Sequence, residues 1–147
     1  MFKHILIPTD GSELSKKAIN HGIAMAKFAH AKVTGFYAAP DFRVEVYSEY
    51  VPRDLVTPEQ YRTATKKRAH KYLATIKKAA DAAGVRYQGH FVFADFPYEA
   101  IIKAAKSKGC DLIFMASHGR RGLSGLLLGS ETTKVLTHSK IPVLVYR

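Results

Sequence analysis

The stretch CDLIFMASHGRRGLSGLLLGS, from Cys110 to Ser130, decides the fold of this chain, because an apolar strand leads directly into a basic, glycine-rich loop and a helix start. CDLIFM (Cys110–Met115), bounded by Gly109, is typical of a short strand that is buried on both faces. The following residues, Ser130–His138, predict one short helix. The first N–H groups of a helix have no intrahelical partner and suit an anion, so we expect a phosphate-binding turn here.

The glycines of this loop follow neither of the commoner nucleotide-binding patterns. No GxxxxGK[ST] is present, and Gly119, Gly122 and Gly125 are spaced by three, so GxGxxG fails as well. Gly119 and Gly129 are expected to let the backbone approach a ligand closely and to take positive φ. The alternative is a loop whose glycines serve only turns.

The opening of the chain supplies a second segment of the same kind. FKHILIPTDGS predicts a strand over Phe2–Ile7 that ends at Pro8, Thr9 and Asp10, before Ser12 caps a helix. In an open parallel sheet, ligands bind beyond the carboxyl ends of the strands, where the strand order reverses. If this strand lies beside the one before the glycine loop, both segments meet in one crevice.

Strands alternate with helices along the remaining chain, which predicts an α/β fold with one open, parallel, five-stranded sheet and helices on both faces. The length of 147 residues favours one domain, residues 1–147. The other expected elements are a helix after Ser12, a strand over Lys32–Ala38, a long loop over Ala39–Val56, a helix from the Thr57 cap to Gly84, a strand over Val85–Phe93, a helix from Pro97 to Gly109, and a strand over Ile141–Tyr146.

Composition narrows the class of protein and its compartment. The net charge of +11, from 23 basic and 12 acidic residues, favours nucleotides or polyanions as partners. Cys110 is the only cysteine and is expected to be buried. The opening apolar run is too short for a signal peptide, and none approaches the ~18 residues of a membrane span, so we expect no membrane association and a cytoplasmic protein.

The two segments together resemble the universal stress protein family in its ATP-binding branch, whose signature is GxxG, nine residues, then G[ST]. The matching residues here are Ala116 to Gly119, nine residues, then Gly129 and Ser130, and the ILIPTDGS opening and IPVLVYR ending match as well. The one departure is Ala116, which stands where the signature has its first glycine. Its methyl group would add bulk beside the nucleotide, although alanine costs a strand end little when φ stays negative.

The resemblance implies a Rossmann-like fold similar to that of the adenine nucleotide alpha hydrolases, with strand order 3-2-1-4-5. It also implies ATP, or AMP or ADP, together with Mg²⁺ as cofactors, stress-linked expression and homodimers. The nucleotide-binding positions that it implies are Pro8, Thr9, Asp10, Ala38, Met115, Ala116, Ser117, His118, Gly119, Gly129, Ser130, Glu131 and Thr132.

Each polar candidate has an expected role and a simpler alternative. Asp10 would bind ribose hydroxyls or hold Mg²⁺ through water, or else cap the first helix. Ser130 and Thr132 offer hydroxyls to phosphate or as helix caps, and the Glu131 side chain should point away from a triphosphate. His118 could donate a hydrogen bond to phosphate.

The basic residues are weighed in the same way. Arg120 and Arg121 could neutralise phosphate charge, but a solvated state is expected for them. The lysine-rich face of the helix that begins after Thr57 is also expected to be solvated. The histidines lack ligand spacing, so no zinc site is expected.

Three functions remain open from the sequence. The first is a nucleotide-dependent stress-response module in which ATP changes the order of the 39–56 loop. The second is a slow nucleotide hydrolase or phosphotransferase, for which no nucleophile and base pair is recognisable. The third is nucleic-acid binding, which the net charge of +11 suggests. Such binding would be non-specific, since no motif that reads a nucleic-acid sequence is present. The apolar terminal strand Ile141–Tyr146 separately predicts a homodimer that covers an exposed sheet edge.

Overall fold

The computed structural model describes residues 1–42, 57–119 and 128–147. These residues form nine elements: β1 (His4–Pro8), α1 (Glu13–Phe28), β2 (Lys32–Ala39), α2 (Pro58–Ala83), β3 (Tyr87–Phe93), α3 (Pro97–Ser107), β4 (Leu112–Ala116), α4 (Ser130–His138) and β5 (Val143–Tyr146). Most of the predicted 39–56 loop, together with Arg120 and Arg121, lies outside the described residues.

The strands form one parallel sheet in the order β3-β2-β1-β4-β5, which confirms the expected topology. Ile5 of β1 pairs with Val33 of β2 on one side and with Leu112 of β4 on the other. The chain therefore winds outward from β1 in both directions. The reversal of strand order lies between β1 and β4, and this is where an open α/β sheet leaves a crevice for a ligand.

Helices cover both faces of the sheet, because side chains alternate along each buried strand. Ile5 and Ile7 of β1 belong to one core cluster, which also contains Ile19 and Ile23 of α1 and Ile76 of α2. On the opposite face, a second cluster combines residues of the sheet with residues of α3 and α4: Leu6, Phe36, Ile101, Ala104, Ala105, Cys110, Ile113, Met115 and Val135. Every strand next to β1 is thus buried on both sides, as its continuous apolar sequence predicts.

Local capping chemistry sets the helix ends. The Ser12 side chain accepts a hydrogen bond from the N–H of Ser15, and Thr57 with Gln60 forms the predicted capping box. Gly84 ends α2 in the left-handed conformation, with φ of +69°. These three predictions are confirmed.

Four strands begin later than predicted, and for two of them, β3 and β4, the cause is a helix end. The N–H groups of Val85 and Cys110 donate to the carbonyls of Ala80 and Ala105, five residues earlier in the preceding helix. This bond closes a helix that ends in a left-handed glycine. Val85 and Cys110 therefore complete α2 and α3 rather than open β3 and β4. β5 begins at Val143 instead of Ile141.

The opening of the chain is tied to β4 by Asp111. Its two carboxylate oxygens accept hydrogen bonds from the N–H groups of Lys3, at 2.8 Å, and His4, at 2.9 Å. The N–H of Asp111 in turn donates to the carbonyl of His4. β1 consequently starts at His4 rather than at Phe2, already aligned with its neighbour.

Burial of Cys110 agrees with the sequence prediction. The residue is 6% exposed, and desolvation raises the pKa of its thiol to about 11. None of the helices in the described part of the chain has both the length and the apolar composition that crossing a bilayer demands.

Candidate functional site

The turn after β1 and the loop after β4 meet at the carboxyl edge of the sheet. A Cβ atom added to Gly119 would lie only 2.4 Å from Oδ2 of Asp10, so the backbone of Gly119 packs directly against that carboxylate. Each segment is also held by the next strand, since Thr9 donates its N–H to Phe36 and Ser117 donates its N–H to Tyr146. The structure therefore brings the two predicted segments together.

Asp10 orients the turn after β1 but does not cap α1. Its Oδ1 accepts a hydrogen bond from the N–H of Ser12 at 2.9 Å, while Ser12 itself supplies the helix cap. Thr9 supports the same turn, because its hydroxyl accepts from the N–H of Gly11 at 3.1 Å and from the hydroxyl of Ser15 at 2.8 Å. The alternative role of Asp10 as a helix cap is thus excluded.

Gly11 is the glycine of this site that needs positive φ. Its φ is +77°, and an added Cβ would come within 2.4 Å of the Tyr72 ring. Tyr72 extends from α2 and meets the Tyr37 ring edge to face, with centroids 5.1 Å apart. The sequence does not mark Tyr72 as a residue of this site, because no local pattern shows which turn a distant side chain will touch.

Gly119 and Gly129 are required for space rather than for φ. Among the described glycines, positive φ occurs at Gly11, Gly84 and Gly109, so the prediction of positive φ at the two loop glycines is wrong. Gly129 has φ of −71°, and an added Cβ would lie 3.0 Å from Cα of His118. This close approach lets the N–H of Gly129 reach the carbonyl of Ser117 at 2.7 Å and places the start of α4 beside the end of β4.

Ser117 and His118 form a hydrogen-bonded pair inside this junction. Ser117 is fully buried, and its Oγ lies 3.0 Å from Nδ1 of His118. Because Nδ1 is engaged, Nε2 is the ring nitrogen through which His118 can meet a ligand. His118 itself is half-buried.

The polar side chains in the first turn of α4 differ in exposure: one is open to solvent and another is buried against β4. Ser130 is exposed, as a phosphate-binding hydroxyl must be. Thr132 is 2% exposed and donates its hydroxyl to the carbonyl of Ala116 at 3.0 Å. That bond commits the Thr132 hydroxyl to joining α4 to β4, which corrects its predicted role as a phosphate donor or helix cap.

The carboxylate of Glu131 is held by the neighbouring helix. Its Oε2 accepts from the N–H of Tyr98 at 2.9 Å, and its Oε1 lies 3.1 Å from Nζ of Lys134. Tyr98 is in the first turn of α3, a helix whose own N-cap residue, Phe96, offers no side-chain bond. The negative charge of Glu131 therefore lies at the N-terminus of α3, where it interacts favourably with the helix dipole.

The apolar candidates lie in the core that supports the crevice. Met115 is 6% exposed and belongs to the cluster under α3 and α4, against which Ala38 also packs. The methyl group of Ala116 packs against the opposite cluster, together with Tyr146. Pro8, half-buried, pairs with Phe36 at the end of β1.

Cofactor binding can be tested against the residues present. The N–H groups of Ser130, Glu131 and Thr132 start a helix and so have no intrahelical acceptor, which suits phosphate oxygens. Asp10 offers a carboxylate at the same edge of the sheet, against Gly119, and Mg²⁺ is often bound by one carboxylate together with phosphates. No cluster of three or more metal-ligating side chains occurs in residues 1–42, 57–119 and 128–147, so a metal ion here would depend on the nucleotide for ligands.

Comparison with known sequences places the chain among named proteins. The profile described as "Universal stress protein family" matches residues 1–147. The universal stress protein YxiE of Bacillus subtilis is 32% identical, with all of both chains covered. MJ0531 of Methanocaldococcus jannaschii, also named a universal stress protein, is 32% identical over the whole of this chain and 83% of its own.

Solved structures share the fold. The structure of MJ0577 superposes with a TM-score of 0.82 and 30% identity, covering 99% of this chain and 95% of that one. A universal stress protein in complex with cAMP superposes with a TM-score of 0.72 and 26% identity, covering 99% and 97% of the two chains.

Proposed function

The chain belongs to the universal stress protein family, and from this premise we propose that it binds an adenine nucleotide in the crevice between β1 and β4 as a nucleotide-dependent module of a stress response. The contact between Gly119 and Asp10 carries the proposal, because it brings the acidic turn after β1 against the loop after β4 at one sheet edge. The close approach of Gly129 to His118 places the start of α4 beside the same loop. The relative crystallised with cAMP supports an adenine nucleotide as the ligand class.

ATP with Mg²⁺ is the proposed ligand, with AMP and ADP as alternatives. The start of α4 would bind phosphate oxygens through its N–H groups and Ser130, while Asp10 would bind the ribose or a hydrated Mg²⁺. Because the Ala116 methyl packs into the core beneath α1 and α2, we expect the departure from the signature glycine to leave binding intact. The negative charge of Glu131 is engaged by Tyr98 and Lys134, which reduces its repulsion of a phosphate.

The proposal extends to the domain organisation, the compartment and the oligomeric state of the protein. Residues 1–147 would act as one domain in the cytoplasm and pair with a second copy through β5, which lies at the edge of the sheet. Slow hydrolysis or phosphate transfer at the same crevice is the alternative, and it is distinguished below by its products.

Isothermal titration with ATP, ADP, AMP and cAMP, with and without Mg²⁺, tests the proposal, and Gly119→Ala is the decisive variant. The new methyl group would be forced against Oδ2 of Asp10, so nucleotide affinity should fall at least tenfold. Gly84→Ala is the control, because it strains a left-handed residue with nothing within 4 Å and far from the crevice. It should lower stability and leave affinity unchanged.

Two results would count against the proposal. One is the absence of heat with every adenine nucleotide, and the other is equal affinity in the Gly119→Ala variant and the natural protein. Incubation with ATP followed by separation of the nucleotides distinguishes a sensing module from an enzyme. Stoichiometric retention of unchanged ATP supports a sensing module, whereas sustained release of ADP or AMP supports a hydrolase.

A further inference from the structure

The outer face of α2 carries a concentration of positive charge that the crevice does not use. The helix has two acidic residues, Glu59 and Asp81, one near each end, and none between them. Seven of the 23 lysine and arginine residues of the chain lie in that interval: Arg62, Lys66, Lys67, Arg68, Lys71, Lys77 and Lys78.

Helical periodicity arranges most of these charges in two adjacent rows. Lys67, Lys71 and Lys78 follow the spacing i, i+4, i+11, which at 3.6 residues per turn keeps them within about 40° of one another around the axis. Lys66, His70 and Lys77 repeat the same spacing one residue earlier. The rows extend about 16 Å along the helix, and all six side chains are exposed.

We name these rows the basic face of α2. The row of Lys67, Lys71 and Lys78 lies opposite the buried residues of the helix, and the row of Lys66, His70 and Lys77 lies about 90° from them, on the flank. The buried residues are Thr65, Ala69, Ile76 and Ala80. Lys77 pairs with Asp81, but Lys67, Lys71 and Lys78 form no ion pair with any residue that the structure describes. Since like charges four residues apart repel, the helix retains a repulsion that its packing does not require.

We propose that the basic face of α2 binds the phosphate backbone of nucleic acid without sequence specificity. Duplex DNA presents one negative charge about every 1.7 Å along its axis, so the rows can meet several phosphates at once. The alanine and threonine residues beside the rows, Ala74 among them, provide neither a stacking surface for bases nor bulky apolar groups for a bilayer. This chemistry favours the nucleic-acid backbone over base edges or a lipid surface.

The test compares two triple variants that lower the net charge equally. One replaces Lys67, Lys71 and Lys78 with glutamine. The control makes the same change at three exposed lysines elsewhere: Lys17 of α1, Lys103 of α3 and Lys140 between α4 and β5. Affinity for a short fluorescent DNA duplex of mixed sequence is measured by anisotropy as NaCl is raised, with circular dichroism to verify the fold of each variant.

The expected result is specific to the basic face. Losing three phosphate contacts should reduce the slope of log K against log salt by about 2.7, and should lower affinity near 0.1 M salt by about 10²-fold. The control variant should change this slope by less than about 0.9, the amount expected for one phosphate contact. Gly119→Ala should leave duplex binding intact, so this inference and the nucleotide proposal can fail separately.

Three outcomes would overturn the inference. Equal losses in the two triple variants would assign binding to net charge alone. Failure of the natural protein to bind the duplex at low salt would show that nucleic acid is not its ligand. Binding to anionic phospholipid vesicles instead of the duplex would indicate that the basic face of α2 binds membranes.

Discussion

The ring of Tyr72 occupies the space that a side chain at position 11 would need, so a residue of α2 supports the turn that carries Asp10. The Thr9 hydroxyl holds the same turn from the side of α1. Asp10 is therefore positioned by contacts from two helices, although it belongs to neither. Geometry of this kind fixes a carboxylate before any ligand arrives.

Tyr72→Ala should weaken adenine-nucleotide binding about tenfold, equivalent to about 1.4 kcal/mol, because the Gly11 turn loses the ring that holds it. Tyr72→Phe keeps the ring and should restore affinity. Phe91→Ala is the matched control, since Phe91 packs in the same aromatic cluster and stacks on Tyr37. The three atoms nearest to an added Cβ at Gly11 all belong to Tyr72. Titration calorimetry, with thermal unfolding of each variant, provides the measurement.

The control separates positioning from packing. If Tyr72→Ala and Phe91→Ala lowered the melting temperature alike and neither changed affinity, Tyr72 would be an ordinary core residue. Loss of affinity in both variants would point instead to general loosening of the fold.

For individual residues, the sequence predicts features that depend on neighbours close by in the chain. The strand-loop-helix order identified Asp10, Gly119 and Gly129 as neighbours of one crevice, because both segments follow strands of one sheet. It could not reveal that Gly119 exists to admit a carboxylate, since that contact joins residues far apart in the chain. The misassigned φ of the loop glycines has the same origin.

Among the elements, α3 and α4 are coupled by a carboxylate from one helix at the end of the other. Glu131 accepts the N–H of Tyr98, and Lys134 lies over the Tyr98 ring at 5.4 Å. The Tyr98 ring also stands 5.3 Å from that of His138. The start of α3 thus depends on α4 for its cap.

Glu131→Ala should destabilise the protein by about 1 kcal/mol, the usual cost of losing a helix N-cap. Glu131→Gln keeps an acceptor oxygen and should recover part of that loss. Glu99→Ala is the control, because Glu99 lies in the same turn of α3, is exposed and bonds the Tyr98 hydroxyl rather than a backbone N–H. Urea unfolding measures all three, and equal effects of the two alanine variants would contradict the capping role.

The helix ends were predicted correctly, whereas of the five strand starts only that of β2, at Lys32, was predicted correctly, and this difference has a physical reason. Ser12, Thr57 and Gly84 act on their own helices through bonds spanning a few residues, so a sequence pattern contains them completely. Val85 and Cys110 have strand-forming sequences but donate their N–H groups backward to a helix. Apolar pattern alone cannot distinguish these two uses of a residue.

In the whole molecule, β5 forms one edge of the sheet and has a side without a strand in the described chain. Ile113 donates its N–H to the carbonyl of Pro142, and backbone groups alternate in direction along a strand. The N–H and carbonyl of Val143 therefore point away from β4. A second copy of the chain is proposed to pair there.

Val143→Pro should yield monomers, because proline removes an outward donor while leaving the bonds to β4 in place. Val143→Ala keeps the N–H and should remain dimeric. Sedimentation equilibrium at several concentrations measures the mass. A mass unchanged by proline, in a variant whose circular dichroism is native, would rule out this interface.

Pairing of β1 with β4 has a consequence for synthesis of the protein. β1, the first strand to be synthesised, is flanked on one side by β4, the fourth of the five strands, and Asp111 holds the two together. A nascent chain that ends before β4 has the turn that carries Asp10 but not the loop that packs against it. The proposed nucleotide site would therefore form only once β4 and the start of α4 have been synthesised.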